Sequence, residues 1–301
     1  MRDLTGRFQS TDRASRLTYC IDPGSDRTMR QKMPPPALAT LEQAQDLIYD
    51  AWEAPTAKRR VELAKKALAL SPRCADAYVL LAEHSRQGSD EELDLWRRGV
   101  TAGEEALGKS AFEDFAGEFW GFLETRPYMR ARFGLARALW NRGDRDDAIG
   151  HLHAMLVLNP GDNQGVRYAL AGYLAEAVRD AELGDLIAAY PDEYSAVWSW
   201  TATLLVFRRT GDSAEARERL AEAMAVNAHV RGYLCGDHPM PPHLPPFLSP
   251  GAPDEAVHYV AQHQPGWERT PGALGWVRAR FPATKKIVRT SRKSQKSDVR
   301  A

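Results

Sequence analysis

The segments NRGDRDDAIGHLHAMLVLNP (141–160) and RTGDSAEARERLAEAMAVNA (209–228) align at a lag of 68 residues. Gly143/Gly211, Asp144/Asp212, Ala148/Ala216, Leu152/Leu220 and Asn159/Asn227 are identical at that spacing. Self-similarity at a fixed stride marks a repeat architecture, and 68 is two strides of 34. Each shared position has a use in a helical hairpin. Gly143 can take the left-handed conformation that ends a first helix, and Asp144 can cap the second. Ala148 is small enough for the two helices to approach closely, and Pro160 stops the second helix. The ending KKALALSP (65–72) recurs as HAMLVLNP (153–160) at a lag of 88, two strides plus 20, which predicts an insertion about 106–126.

A stride of about 34 residues is that of the tetratricopeptide repeat, and 127–160 resembles its pattern closely. The spacing predicts an all-α chain: a right-handed superhelical stack of about five such hairpins, at 41–74, 75–107, 127–160, 163–192 and 195–228. One hairpin cannot bury its own apolar face, whereas five stacked ones can. Ahead of them, 1–39 is polar and ends in Met33-Pro34-Pro35-Pro36, so it reads as a disordered, extended leader before a body at 40–228. Behind them, nine of the 19 prolines fall within 239–271. The region 229–282 therefore reads as a Pro-rich crossing followed by capping helices, Pro253 to Gln262 and Pro271 to Phe281. The basic stretch 283–301 reads as a disordered tail.

The chain has 40 Lys+Arg and 40 Asp+Glu, unevenly placed: 1–39 carries +3 and 283–301 carries +6, leaving −9 for the body. A nucleic-acid partner could engage only the basic tail, which lacks interleaved aromatics and is not expected to bind one. Three separated cysteines, Cys20, Cys74 and Cys235, exclude a disulfide scaffold and fit a reducing, cytoplasmic setting. The longest nearly apolar run, Ala196 to Phe207, is too short to span a bilayer, so no membrane partner is expected.

At AYVLLAE (77–83), FWGFLETRPYMRARFGLARALW (119–140), NPGDNQGVRY (159–168) and PGAPDEAVHYVAQHQPGWERTPGALGW (250–276), the chain resembles the suppression-of-tumorigenicity protein family and its bacterial tetratricopeptide-like relatives. The resemblance covers roughly 60–280. It implies a helical-repeat scaffold without an established activity and supplies no catalytic residues. The animal members carry a membrane segment that this sequence lacks, so a membrane role is not carried over.

In tetratricopeptide folds the first helix of each hairpin lines a concave groove. Counting in the 34-residue frame, hairpin one presents Tyr49 and Trp52, and hairpin two Glu83 and Arg86. Hairpin three presents Arg130, Phe133, Arg137 and Trp140; hairpin four, Gln164, Arg167, Ala171 and Leu174; hairpin five, Trp198, Thr201, Leu205 and Arg208. Arginine mixed with large aromatics is the composition of interaction hot spots. The expected ligand is a protein or peptide, acidic or presenting its C-terminus, held by guanidinium forks. The competing reading is that these arginines pair with nearby acids and the aromatics are core.

The alternative site is ETRPYMRAR (124–132). Arg132 stands where such helices commonly carry an aromatic, so a guanidinium points into the packing and needs a partner, with Glu124 the expected one. Alternatively, Arg126, Arg130 and Arg132 form an anion or small-ligand pocket. His151 and His153, two apart, face different sides of a helix, and Cys235, Asp237, His238 and His243 lack paired ligand spacing, so no metal or other cofactor is expected. No catalytic motif is present, and no enzymatic activity is expected.

Overall fold

The computed structural model describes residues 35–282. The expectations for the leader up to residue 34 and for the tail from 283 lie outside the described residues. Among the described residues every regular element is a helix. Ten helices pair into five hairpins: α1 (Pro35–Glu53) with α2 (Ala57–Leu70), α3 (Ala75–Glu83) with α4 (Asp90–Leu107), α6 (Arg126–Arg142) with α7 (Arg145–Leu158), α8 (Val166–Ala177) with α9 (Asp180–Ala189), and α10 (Ala196–Thr210) with α11 (Ala214–Val226). Short α5 (Lys109–Asp114) follows α4, and α12 (His229–Leu234), α13 (Pro253–Glu268) and α14 (Ala273–Arg280) follow α11. Each hairpin packs on the next, through α2 on α3, α3 and α4 on α6, α7 on α8, and α8 and α9 on α10.

Three of the five repeated pairs are buried alike. Ala148, Ala216, Leu152 and Leu220 are fully buried between paired helices, and Asn159 and Asn227 are both buried at the ends of second helices. Gly143 ends α6 in the left-handed region (φ 94°). Asp144, expected as a cap, makes no capping bond to α7. In hairpin five the cap is Ser213, which accepts from the Ala216 amide, and Asp212 instead binds Arg217 at 2.8 Å and the Trp276 indole at 2.7 Å. Helix α1 begins at Pro35 and not near residue 40. Proline costs a helix little in its first turn, where the missing amide would be unpaired anyway.

The inserted segment after α4 folds as α5 and two 3₁₀ turns, Phe119–Gly121 and Leu123–Thr125. Its aromatics knit it to α6. Phe112 meets Phe119 at 5.3 Å and the buried Tyr128 edge-on at 5.1 Å. Backbone closeness matters here: a Cβ on Gly103 would lie 2.8 Å from Tyr128 Cβ and 3.0 Å from its Cα, so α4 and α6 touch only because residue 103 has no side chain.

Helix α13 lies across α8 and α10, the first helices of hairpins four and five. It extends to Glu268, six residues past the expected stop, with Pro265 inside it. Small residues set the crossing, with a Gly266 Cβ position 3.1 Å from Ala175 Cβ and a Gly172 Cβ position 3.2 Å from the His263 ring. Two polar clasps hold the helix. Buried Glu255 accepts from the Ala196 amide (2.9 Å), Asn227 (2.9 Å) and the Gly251 amide (2.7 Å). Arg208, 6% exposed at its side chain, donates to Asp180 (2.8 Å), the Ala175 carbonyl (2.7 Å), the Gly266 carbonyl (2.9 Å) and Thr270 (2.8 Å). His263 is buried against Tyr259, the rings nearly parallel at 4.8 Å, and neither ring nitrogen has a hydrogen bond. Burial therefore pulls its pKa down from 6.5 to about 3.

Three stability predictions follow from this packing. Gly103→Ala should destabilise by about 1–3 kcal/mol in urea unfolding, whereas Gly150→Ala, on the open side of α7 with nothing near its Cβ, should be neutral or gain up to about 1 kcal/mol. Arg208→Ala strips partners from Asp180 and two helix carbonyls and should cost about 3–5 kcal/mol. His263 favours folding only while neutral. Its contribution is complete above the unfolded value of 6.5 and is lost as pH falls toward 3. Between pH 7 and pH 5 that loss is about 2 kcal/mol, and His263→Phe should flatten that part of the stability–pH curve.

Candidate functional site

The stripe of first-helix residues divides in two. In hairpins four and five it is internal. Ala171, Leu174, Thr201 and Leu205 are buried, and Arg208 is spent on the α13 clasp. Trp198, 4% exposed, stands edge-on to Tyr168 (5.9 Å) and Tyr190 (5.8 Å). Gln164 is half-buried, its amide oxygen enclosed. Arg167 binds Glu193 at 2.6 Å and Asp162 at 3.1 Å, and its guanidinium stacks over Tyr168 (4.5 Å) and Tyr190 (5.1 Å). Asp162 in turn takes the amides of Val166 (2.7 Å) and Arg167 (2.9 Å), closing the start of α8. Burial opposes ionisation of Glu193, but hydrogen bonds from Tyr168 and Arg167 outweigh it and hold the carboxyl below its ordinary range. Burial, followed by the bond to Glu193, pushes the Tyr168 phenol up to about 12. The Arg167–Glu193–Asp162 network positions hairpin four, while Gln164 Oε1 and Trp198 Nε1 are buried with no hydrogen bond among the described residues.

In hairpins one to three the same stripe is partly open. Tyr49 is 49% exposed and tilts against half-buried Trp52 at 5.7 Å. Arg130 lies over the Trp52 ring at 5.2 Å and forks onto Asp76 at 2.8 and 2.6 Å. The Asp76 side chain is wholly buried and also accepts from Gln45 at 2.9 Å. Residues 45, 76 and 130 thus join three consecutive first helices by hydrogen bonds. Phe133 and Arg137 are half-buried one helical turn apart on α6. Trp140 stacks flat on Tyr173 of α8 (3.9 Å, 3°), with the Arg145 guanidinium over it at 4.8 Å. Arg86 is exposed beyond α3. The side chains of Arg86 and Arg137 have no hydrogen bond or ion pair within the described residues.

The arginines of 124–132 are not brought together. Arg126 donates to the Trp120 carbonyl (3.1 Å) and lies over its ring at 5.4 Å, whereas Arg130 turns to Asp76. Arg132 bonds the Tyr128 hydroxyl and His151 Nδ1 (3.3 Å). Glu124, the expected partner of Arg132, is exposed instead. Tyr128 is four residues before Arg132, so one helix turn presents the hydroxyl directly beneath the guanidinium. Burial and the Arg132 charge lower the His151 pKa, which keeps Nδ1 an acceptor. Sequence reasoning passed over Asp76, Asp162 and Glu193. For Asp76 a signal existed, since it occupies the same frame position in hairpin two as Arg130 in hairpin three.

Among the described residues no group of three or more His, Cys, Asp or Glu is placed to hold a metal ion, Cys235, Asp237, His238 and His243 included. Among the same residues no helix is long and apolar enough to cross a membrane.

No protein-family model matches the chain, and no solved structure does. The chain is 28% identical over 270 residues to Protein ST7 homolog of Caenorhabditis elegans, covering 76% of this chain and 49% of that protein. It is 27% identical over 260 residues to Suppressor of tumorigenicity 7 protein-like of Danio rerio, covering 80% of this chain and 45% of that one. To Protein ST7 homolog of Drosophila melanogaster it is 24% identical over 269 residues, with 79% and 49% covered. The chain spans about half the length of the curated relatives it matches, and its similarity to ST7-named proteins extends over most of its own length.

Proposed function

We propose that this chain is a non-catalytic, cytoplasmic scaffold of tetratricopeptide character, a right-handed superhelical stack of five hairpins closed by α13 and α14. In this reading it binds a protein or peptide segment along the first helices of hairpins one to three. The 34-residue stride, the equivalent burial of its repeated residues and the likeness to ST7-named proteins support the scaffold. Two buried free cysteines, Cys74 and Cys235, are in keeping with a reducing compartment.

The observation that carries the binding face is the contrast between its halves. Every arginine of the stripe in hairpins four and five is saturated by carboxylates and carbonyls, whereas Arg86 and Arg137 are not. Arg137 stands on the same series of first helices as half-exposed Tyr49, and Arg86 lies in the turn just beyond α3. Guanidinium groups beside aromatic surface suit a segment that carries carboxylates between apolar side chains. The face is thus three hairpins long, because α13 takes the place a ligand would occupy in the other two.

The test is a Tyr49→Ala/Arg137→Ala double variant, compared with the intact chain in affinity capture and then in direct titration against the captured partner. Affinity should fall at least about tenfold, the scale of a hot-spot pair, with the urea midpoint unchanged. An unaltered dissociation constant would reject this face.

A further inference from the structure

The inserted segment builds a second site, separate from the first-helix stripe. A cavity of about 520 Å³ opens where α4, α5 and α6 meet, within the range of small-molecule pockets. Glu104 and Glu105 come from the end of α4, Lys109 and Phe112 from α5, and Tyr128 and Arg132 from α6. Phe112 and Tyr128, packed edge to face at 5.1 Å, give it an aromatic wall.

Four charged side chains of both signs surround this cavity, and none of them forms an ion pair among the described residues. Arg132 is half-buried, and its hydrogen bonds go to a phenol and a neutral imidazole, neither of which cancels its charge. Glu104 and Glu105 lie in the last turn of α4, where the unpaired carbonyls already make the helix end negative. Carboxylates there work against helix stability, and a cation beside them would be welcomed by both. The lining therefore combines a guanidinium on α6, two carboxylates at the end of α4, the Lys109 ammonium on α5 and two aromatic rings.

We propose that this cavity binds a small zwitterion with an apolar body, of the α-amino-acid class. Its carboxylate meets Arg132, its ammonium meets Glu104 and Glu105 at the end of α4, and its side chain lies on Phe112.

Titration calorimetry of the full chain with three probes tests this: L-phenylalanine, phenylacetate, which lacks the ammonium, and phenethylamine, which lacks the carboxylate. L-phenylalanine should bind saturably with a dissociation constant of about 1 mM or tighter, and each single-charge probe at least about tenfold more weakly. Glu104 and Glu105 are exposed, so the Glu104→Gln/Glu105→Gln variant should fold normally. It should lose about tenfold in L-phenylalanine affinity while binding phenylacetate at least as well as before. Absence of saturation by L-phenylalanine up to about 10 mM overturns the proposal. So does a single-charge probe that matches L-phenylalanine, or an affinity for L-phenylalanine that the double variant leaves unchanged.

Discussion

A helical hairpin leaves one apolar face open, and a row of hairpins passes that debt along until something closes the end. In this protein α13 closes it. The helix buries Tyr259, Val260 and Trp267 against α8 and α10, and it can approach so closely because residues 172, 175 and 266 are Gly, Ala and Gly. Apolar contact alone does not orient a helix. Orientation comes from two buried charged groups whose bonds cross elements: Glu255 ties α13 to the start of α10 and to the end of α11, and Arg208 ties it to the end of α8 and the start of α9. Each is costly to bury and harmless once fully bonded, so together they admit one docking geometry.

In the proposed scaffold, that closure decides where a partner sits. A stripe read from repeat spacing treats the five first helices as equivalent, yet the chain uses two of them for itself. The polar network Gln45–Asp76–Arg130 does for hairpins one to three what Arg208 does for the C-terminal end, linking neighbouring first helices through a buried charge. It also ties up Arg130, so that of the stripe's arginines only Arg86 and Arg137 meet no carboxylate among the described residues.

The hairpins were legible because their signal is periodic and local. Gly143, Ala148, Leu152 and Pro160 each report a steric requirement of one turn or one helix crossing, and apart from α1, which starts at Pro35 and not near 41, the helices lie within a few residues of the expected hairpin limits. The docking of α13 was not legible. The segment 250–276 shows a helix, but nothing local says which surface receives it, and the decisive pairings span 58 to 62 residues between Arg208 and Gly266 or Thr270. The misassigned partner of Arg132 has the opposite cause. Glu124 is near in sequence but falls in a 3₁₀ turn facing solvent, whereas Tyr128 and His151 share the interior side of α6 and α7. Reasoning by charge chose the acid; helix geometry supplied a phenol.

Buried charge is met differently at Arg132 than at four other arginines. Arg130, Arg167, Arg208 and Arg231 all meet carboxylates, on Asp76, on Asp162 and Glu193, on Asp180 and on Asp237. Arg132, also half-buried, is bonded only to neutral groups, and the two acids of α4 that line the same cavity form no ion pair among the described residues. The α5 part of that lining, with Phe112 packed on Phe119 and Tyr128, belongs to the part of the sequence that breaks the 34-residue stride. What interrupts the repeat therefore also lines the cavity proposed to take a zwitterion.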